Sequence, residues 1–107
     1  MQKLMSMSPR PSAVLTSNDL MAVGALQAAL HAGLRVPADV SIIGFDDLPI
    51  ASMVMPQLTT IQLPRREIAA QAFASLLLAT RDDIRTECDV VHPHLVVRKS
   101  TSRRSSK

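Results

Sequence analysis

Apolar residues form short runs separated by polar clusters, and their spacing predicts alternating strands and helices. The run SAVLT (12–16) has the length of a strand, and SND (17–19) is typical of a helix start. The Ala- and Leu-rich stretch LMAVGALQAALHA (20–32) predicts a helix that is buried over most of its circumference. A second strand is predicted over VSIIGF (40–45). This order predicts a βαβ unit of a parallel sheet that is covered on both faces.

The second half of the chain continues the alternation. LTTIQL (58–63) predicts a third strand, and Pro64 suits the first residue of a helix over 65–80. Apolar residues recur along that helix at helical spacing. They are Ala69, Ala72, Phe73, Leu76 and Leu77. VVHPHLVVR (90–98) predicts a last strand at the edge of a sheet, because Pro93 has no amide proton to donate.

Polar side chains follow the first two predicted strands at the point where each strand ends. Ser17, Asn18 and Asp19 follow the first strand, and Asp46 and Asp47 follow the second. Ligands of parallel sheets bind beyond the carboxyl ends of the strands, so we expect Asn18 and Asp46 to face one cleft. The amide and the carboxylate together suit a ligand with many hydroxyl groups.

The same residues have structural alternatives. Asn18 suits a helix cap as well as a ligand contact, and capping is favoured for Asp19, whose charge is favourable in a first helical turn. Adjacent side chains on an extended chain point in opposite directions. One of Asp46 and Asp47 is therefore expected to organise the following turn while the other faces the cleft.

Signals of catalysis and of metal binding are weak. His92 and His94 lie on one face of the last predicted strand with Cys88 upstream, but no third ligand at suitable spacing is evident. The sequence has no glycine-rich phosphate loop, no GxSxG and no CxxC. We therefore expect no metal, no cofactor and no enzyme, and an acid–base pair formed by Asp46 and Asp47 is the disfavoured alternative.

Composition narrows the possible partners. Aromatic residues make up 2% of the 107 residues, which argues against base stacking on aromatic side chains. The net charge is +3, but the last ten residues hold five Lys and Arg, so the remainder carries −2. A nucleic-acid-binding face on the folded body is therefore not expected. The sequence shows no signal peptide or membrane span, which predicts a soluble, cytoplasmic protein.

Four motifs in a fixed order carry a family resemblance. They are SND-MA-GAL-A, G--VP-DVSIIGFDD-P, P-LTTI--P and HP-LVVR-S, where dashes mark other residues. In this order they closely resemble the carboxy-terminal part of the LacI/GalR repressor family, over roughly residues 11 to 101. The resemblance implies an α/β class and a partial periplasmic-binding-protein-like fold. It also implies that Asn18 and Asp46 occupy effector-contact positions, with Asp19 and Asp47 in secondary or capping roles.

The resemblance also implies how the chain is divided. It assigns residues 12–57 to a carboxy-terminal subdomain, 58–64 to a crossover, and 65–98 to the returning part of an amino-terminal subdomain. Composition predicts a disordered lead-in over 1–11 and a frayed basic tail over 99–107.

The function implied is that of the effector-sensing and dimerising end of a LacI/GalR-type transcriptional repressor. The expected partners are a sugar or nucleoside-like effector and, in the parent family, a second copy of the chain. DNA is expected to be bound only through a helix-turn-helix that this chain lacks, and no membrane is expected as a partner. Two alternatives stay open: the end of a periplasmic sugar receptor, and a truncated product without activity of its own.

Overall fold

The structure, a computed structural model, describes residues 1–79 and 90–103 of the chain. Helices and strands alternate along these residues as the sequence predicts. The elements are α1 (Gln2–Met5), β1 (Ala13–Leu15), α2 (Asp19–His31), β2 (Ser41–Phe45), α3 (Ile50–Met53), β3 (Thr59–Gln62), α4 (Arg65–Ala79) and β4 (His94–Val96).

The described strands form a single sheet in the order β1-β2-β3-β4. Strands β1 and β2 are parallel with Val14 opposite Ile42, and β2 and β3 are parallel with Gly44 opposite Thr60. The α/β class and the parallel βαβ unit are therefore confirmed. Strand β4 lies at the end of the sheet order, where Pro93 predicts it.

The core lies on one face of the sheet, beneath α2. Helix α2 contributes Ala22, Ala25, Leu26 and Ala29, and the other buried apolar residues are Val40, Ile42, Ala51 and Leu58. The prediction that α2 is buried over most of its circumference is wrong, because Leu20, Met21 and Leu30 are exposed. Strand β2 alternates between buried and half-buried residues, so the prediction of full cover on both faces is wrong as well. A single helix can bury only the stripe that faces the sheet.

The predicted lead-in contains a folded segment. Residues Gln2–Met5 form helix α1, and the side chains of Met1 and Met5 pack against the core. Apolar methionines can fill gaps of irregular shape, which polar residues cannot do without losing water. The methionines, and not the prolines at 9 and 11, therefore decide the structure at this end.

The start of the predicted basic tail is also folded. Ser100 is fully buried, and its hydroxyl donates to the carbonyl of Ile42 at 2.6 Å and accepts from the amide of Thr59 at 2.8 Å. The amide of Ile42 in turn donates to the carbonyl of Ser100 at 2.9 Å. The carbonyl and the hydroxyl of Ser100 thus anchor this segment to β2 and β3, through contacts to which the composition of a segment gives no clue.

The chain divides into two units. Unit 1 comprises residues 1–62 and the segment from Leu95 onward, and unit 2 comprises residues 63–94. The first division falls inside the predicted crossover (58–64), whereas residues 95–98 group with unit 1 and not with the second subdomain. Helix α4 lies in unit 2 and has no buried residue, so its predicted apolar stripe is exposed along its length.

Candidate functional site

The predicted ligand residues follow neighbouring strands at the same level. Leu15 of β1 lies opposite Ile43 of the parallel strand β2. Asn18 is three residues beyond Leu15, and Asp46 is three residues beyond Ile43. Both residues are half-buried. The parallel pairing thus brings Asn18 and Asp46 to the same edge of the sheet, where parallel folds bind their ligands.

Asn18 is the N-cap of helix α2. Its backbone is extended, and its side-chain oxygen accepts a hydrogen bond from the amide of Met21 at 2.8 Å. This bond satisfies one of the free amides at the start of the helix. No described residue accepts from the Asn18 side-chain nitrogen, so its two N–H donors are available at the sheet edge.

The backbone turns sharply directly after β2. Asp46 has a φ of 110° and Asp47 a φ of 51°, and no other non-glycine residue in the described chain has a positive φ. Aspartate tolerates this region better than most residues, but such conformations cost about 1–3 kcal/mol each and persist only where their surroundings enforce them. Non-glycine residues in such conformations cluster at ligand sites.

Three consecutive amides hold this turn in place. The amides of Asp46, Asp47 and Leu48 each donate one hydrogen bond to a group outside the turn. Their acceptors are, in order, Ile61 O at 2.8 Å, Thr60 Oγ1 at 3.4 Å and Asp19 Oδ2 at 2.7 Å. Strand β3 and the first turn of α2 therefore determine where the residues after β2 lie.

Asp19 is a fully buried carboxylate. It lies in the first turn of α2, as the sequence predicts, but its oxygens bind groups outside that helix. Oδ1 accepts from the hydroxyl of Thr60 at 2.5 Å, and Oδ2 accepts from the amide of Leu48. Glycine at position 44 makes room for this carboxylate, because a Cβ at that position would collide with Asp19 Oδ1 and lie 2.9 Å from Leu58 Cδ2.

Asp47 is also bound by protein groups. Its Oδ1 forms an ion pair with Arg98 at 2.7 Å, and its Oδ2 accepts from the side-chain amide of Gln62 at 2.8 Å. The side chains of Arg98 and Asp47 are 18% and 12% exposed, so water screens this pair only weakly. No described residue donates to the carboxylate of Asp46. Of the three aspartates near the sheet edge, Asp46 is therefore the one with free acceptor atoms.

Four residues that organise this edge were missed from the sequence: Gly44, Thr60, Gln62 and Arg98. Thr60 and Gly44 lie within motifs that the resemblance uses, but neither has a local pattern that indicates a partner. Arg98 ends the last predicted strand and lies within the HP-LVVR-S motif, but neither feature indicates a partner for it. Its pairing with Asp47 joins positions 51 residues apart, so no local signal reveals it.

Two of the weaker candidates, His92 and His94, lie in unit 2. His92 and His94 are exposed, and Cys88 lies outside the described residues. The described residues contain no group of three or more His, Cys, Asp or Glu placed to hold a metal ion. In the same part of the chain, no helix combines the length and apolar character that crossing a membrane requires.

The structure also contains an apolar groove of about 440 Å³. Helix α1, strand β1 and helix α2 line it, with Thr16 and Ser17 as its polar residues. Neither Asn18 nor Asp46 lines this groove. It is therefore a feature separate from the polar edge.

Comparisons with known proteins show which family the chain belongs to. Residues 1–101 match the family described as a periplasmic binding protein-like domain. The HTH-type transcriptional repressor PurR of Edwardsiella ictaluri (strain 93-146) is 44% identical over 105 residues, which cover 95% of this chain and 30% of that protein. The PurR repressor of Proteus mirabilis (strain HI4320) is 41% identical over the same share. These relatives are transcriptional repressors, and the chain spans about 30% of their length.

Solved structures show the same relationship. The lac repressor dimer bound to operator and the anti-inducer ONPF superimposes with a TM-score of 0.80 at 36% identity, over 94% of this chain and 36% of that one. A LacI family regulator from Lactobacillus casei with bound sucrose gives a TM-score of 0.74 at 34% identity, over 94% and 38%. The chain therefore belongs to the periplasmic binding protein-like family and corresponds to the carboxy-terminal effector-binding region of LacI-type transcriptional repressors.

Proposed function

We propose that Asn18 and Asp46 supply ligand contacts in the effector site of a LacI-type regulator. One observation carries this proposal: Asp46 has a free carboxylate at the end of β2, level with Asn18, while Asp19 and Asp47 are bound by protein groups. The positive φ of Asp46 adds support, since such conformations cluster at binding sites.

The ligand class follows from the chemistry of the two groups. The carboxylate of Asp46 accepts hydrogen bonds from hydroxyl groups, and the side-chain nitrogen of Asn18 donates to hydroxyl or ring oxygens. A sugar or a nucleoside-like molecule presents such groups a few ångströms apart. Solved relatives contain sucrose, glucose or lactose, which supports a sugar as one form of the ligand.

We place this site in a larger regulatory protein. The chain spans about 30% of the length of its curated relatives, which are transcriptional repressors. We infer that the larger protein is also a repressor of transcription. Effector binding shifts a two-state equilibrium of the effector-binding region, and that shift changes operator affinity. By analogy with the dimeric, operator-bound lac repressor, the whole protein is a homodimer that contacts DNA and acts in the cytoplasm.

The test uses the isotope-labelled 107-residue chain, once a dispersed amide spectrum shows that it is folded. Lactose, sucrose, glucose, adenosine and guanosine are titrated separately. We expect at least one of them to shift the amides of Asn18 and of residues 46–48. Replacing Asp46 by Asn should weaken that binding by about tenfold or more, since a hydrogen bond to a charged group contributes about 1.5–3 kcal/mol.

The matched control is Asp39→Asn, which removes a carboxylate outside the site and should leave the affinity unchanged. A folded chain that binds none of the five compounds contradicts the proposal for this chain. Equal binding by Asp46→Asn and the parent chain contradicts the assignment of Asp46.

A further inference from the structure

The hydroxyl of Thr60 connects two parts of the site. It donates to Asp19 Oδ1 at 2.5 Å and accepts from the amide of Asp47 at 3.4 Å. Asp19 Oδ2 accepts from the next amide, that of Leu48, at 2.7 Å. Asp19 and Thr60 therefore bind, as one unit, the two amides that directly follow Asp46.

Neither member of this pair can touch a ligand in this conformation. Both Asp19 and Thr60 are 0% exposed. Asp19 lies in the first turn of α2 and Thr60 lies in strand β3. The absence of a Cβ at Gly44 leaves the space into which Asp19 Oδ1 fits. The amide of Asp46 is held independently, because it donates to the carbonyl of Ile61.

We propose that Asp19 and Thr60 are positioning residues, which hold the turn at Asp46 and Asp47 and thereby direct the Asp46 carboxylate toward the ligand. Their effect on ligand binding rests on the function proposed above, whereas their effect on the turn does not. The positive φ values explain why such a pair is needed. Without bonds to the two amides, the chain after β2 relaxes to more favourable angles and the carboxylate loses its fixed direction.

The first test requires no ligand and measures amide hydrogen exchange in the 107-residue chain. Thr60→Val keeps the side-chain shape and removes the hydroxyl, while Thr60→Ser keeps the hydroxyl. We expect Thr60→Val to speed exchange at Asp47 and Leu48 by at least tenfold, with less than a twofold change at Asp46. Thr60→Ser should restore the slow rates at both.

The amide of Leu26 in the core serves as a reference for global stability. If exchange at Asp47, Leu48 and Leu26 rises equally, Thr60 is merely a stability residue and the positioning role is overturned. Unchanged exchange at Asp47 and Leu48 overturns it as well. Should Thr60→Val fail to fold, Asp19→Ala is the second variant, and it should speed exchange chiefly at Leu48, because it removes the acceptor of that amide.

The second test uses whichever of the five compounds binds the parent chain. We expect Thr60→Val to weaken its binding about tenfold and Thr60→Ser to restore it to within twofold. Normal affinity in Thr60→Val, together with fast exchange at Asp47 and Leu48, overturns the link to ligand binding. If Asp46→Asn itself leaves binding unchanged, the proposed function fails, and the exchange rates alone then decide whether the pair positions the turn.

Discussion

Helices α2 and α4 are similar in pattern and differ in outcome. Both are rich in Ala and Leu, with 13 and 15 residues respectively, and both carry apolar residues at helical spacing. In α2, Ala22, Leu26 and Ala29 are completely buried. In α4 no residue is buried, and Phe73 and Leu76 remain 63% and 62% exposed.

The difference shows what an amphipathic pattern specifies. Spacing determines which side chains share a face, but burial requires a second layer to receive that face. Helix α2 has such a layer in β2 and β3, which present Ile42 and the adjoining Leu58 to it. Its first turn is also tied to the sheet through Asp19, whose carboxylate accepts from the hydroxyl of Thr60 in β3.

The largest expected effect comes from truncating one leucine in each helix. Leu26→Ala removes a fully buried side chain and should lower the free energy of unfolding by about 2–5 kcal/mol. Leu76→Ala removes a mostly exposed side chain and should change it by less than about 0.5 kcal/mol. Urea denaturation of the 107-residue chain measures both. Equal losses would mean that α4 is covered in solution, and the comparison would fail.

The next effect concerns how closely the start of α2 approaches the sheet. Gly44→Ala puts a methyl group into the space of Asp19 Oδ1 and should destabilise the chain by about 1–3 kcal/mol. Gly24→Ala is the matched control, since a Cβ there meets no atom within 4 Å. It should stabilise the chain by about 0.5–1 kcal/mol, because alanine favours a helix interior over glycine. If Gly44→Ala leaves the free energy of unfolding unchanged, apolar contacts alone hold α2 against the sheet.

The smallest effect lies in the exposed connection after α2. The Arg35 guanidinium donates two hydrogen bonds to Asp39, at 2.9 and 3.0 Å, and holds the pKa of that carboxyl well below its usual range. A lowered folded-state pKa adds stability above the unfolded pKa of about 3.9, and that stability is lost as pH falls through the folded value.

We therefore expect Asp39→Asn to be slightly less stable than the parent chain at pH 7 and equally stable at strongly acidic pH. Thermal unfolding at a series of pH values measures the difference. The effect should be small, because the Arg35 side chain is 78% exposed and water and salt weaken the pair. A large loss of stability at pH 7 would show that the packing of α2 depends on this connection as well as on its core residues.

Much of the fold could be predicted because it depends on neighbouring residues. Local spacing and cap chemistry place α2 and β2 within one or two residues of their observed ends. Local spacing could not predict which faces of these helices and strands are buried against other elements. Whether Leu20 or Phe73 meets a partner depends on parts distant in sequence, and the pattern of their own segments is the same in either case.

The candidate site divides in the same manner. The carboxyl-end rule identifies Asn18 and Asp46 as a pair because parallel strands share a direction, and the register agrees with that pairing. The roles of Asp19 and Asp47 depend on Thr60 and Arg98, which lie 41 and 51 residues away from them. The positive φ values of residues 46 and 47 likewise arise from tertiary contacts, since nothing in a two-aspartate sequence requires them.

The bonds of Asp47 have a consequence for how this sequence can be lengthened or shortened. Gln62 is the last residue before the chain leaves unit 1, and Arg98 follows soon after its return at Leu95. Both side chains donate hydrogen bonds to the carboxylate of Asp47. The two points at which the chain leaves and re-enters unit 1 are therefore held close together. The intervening stretch is thus a natural place for insertion or exchange of a module, with β1, β2 and β3 left intact.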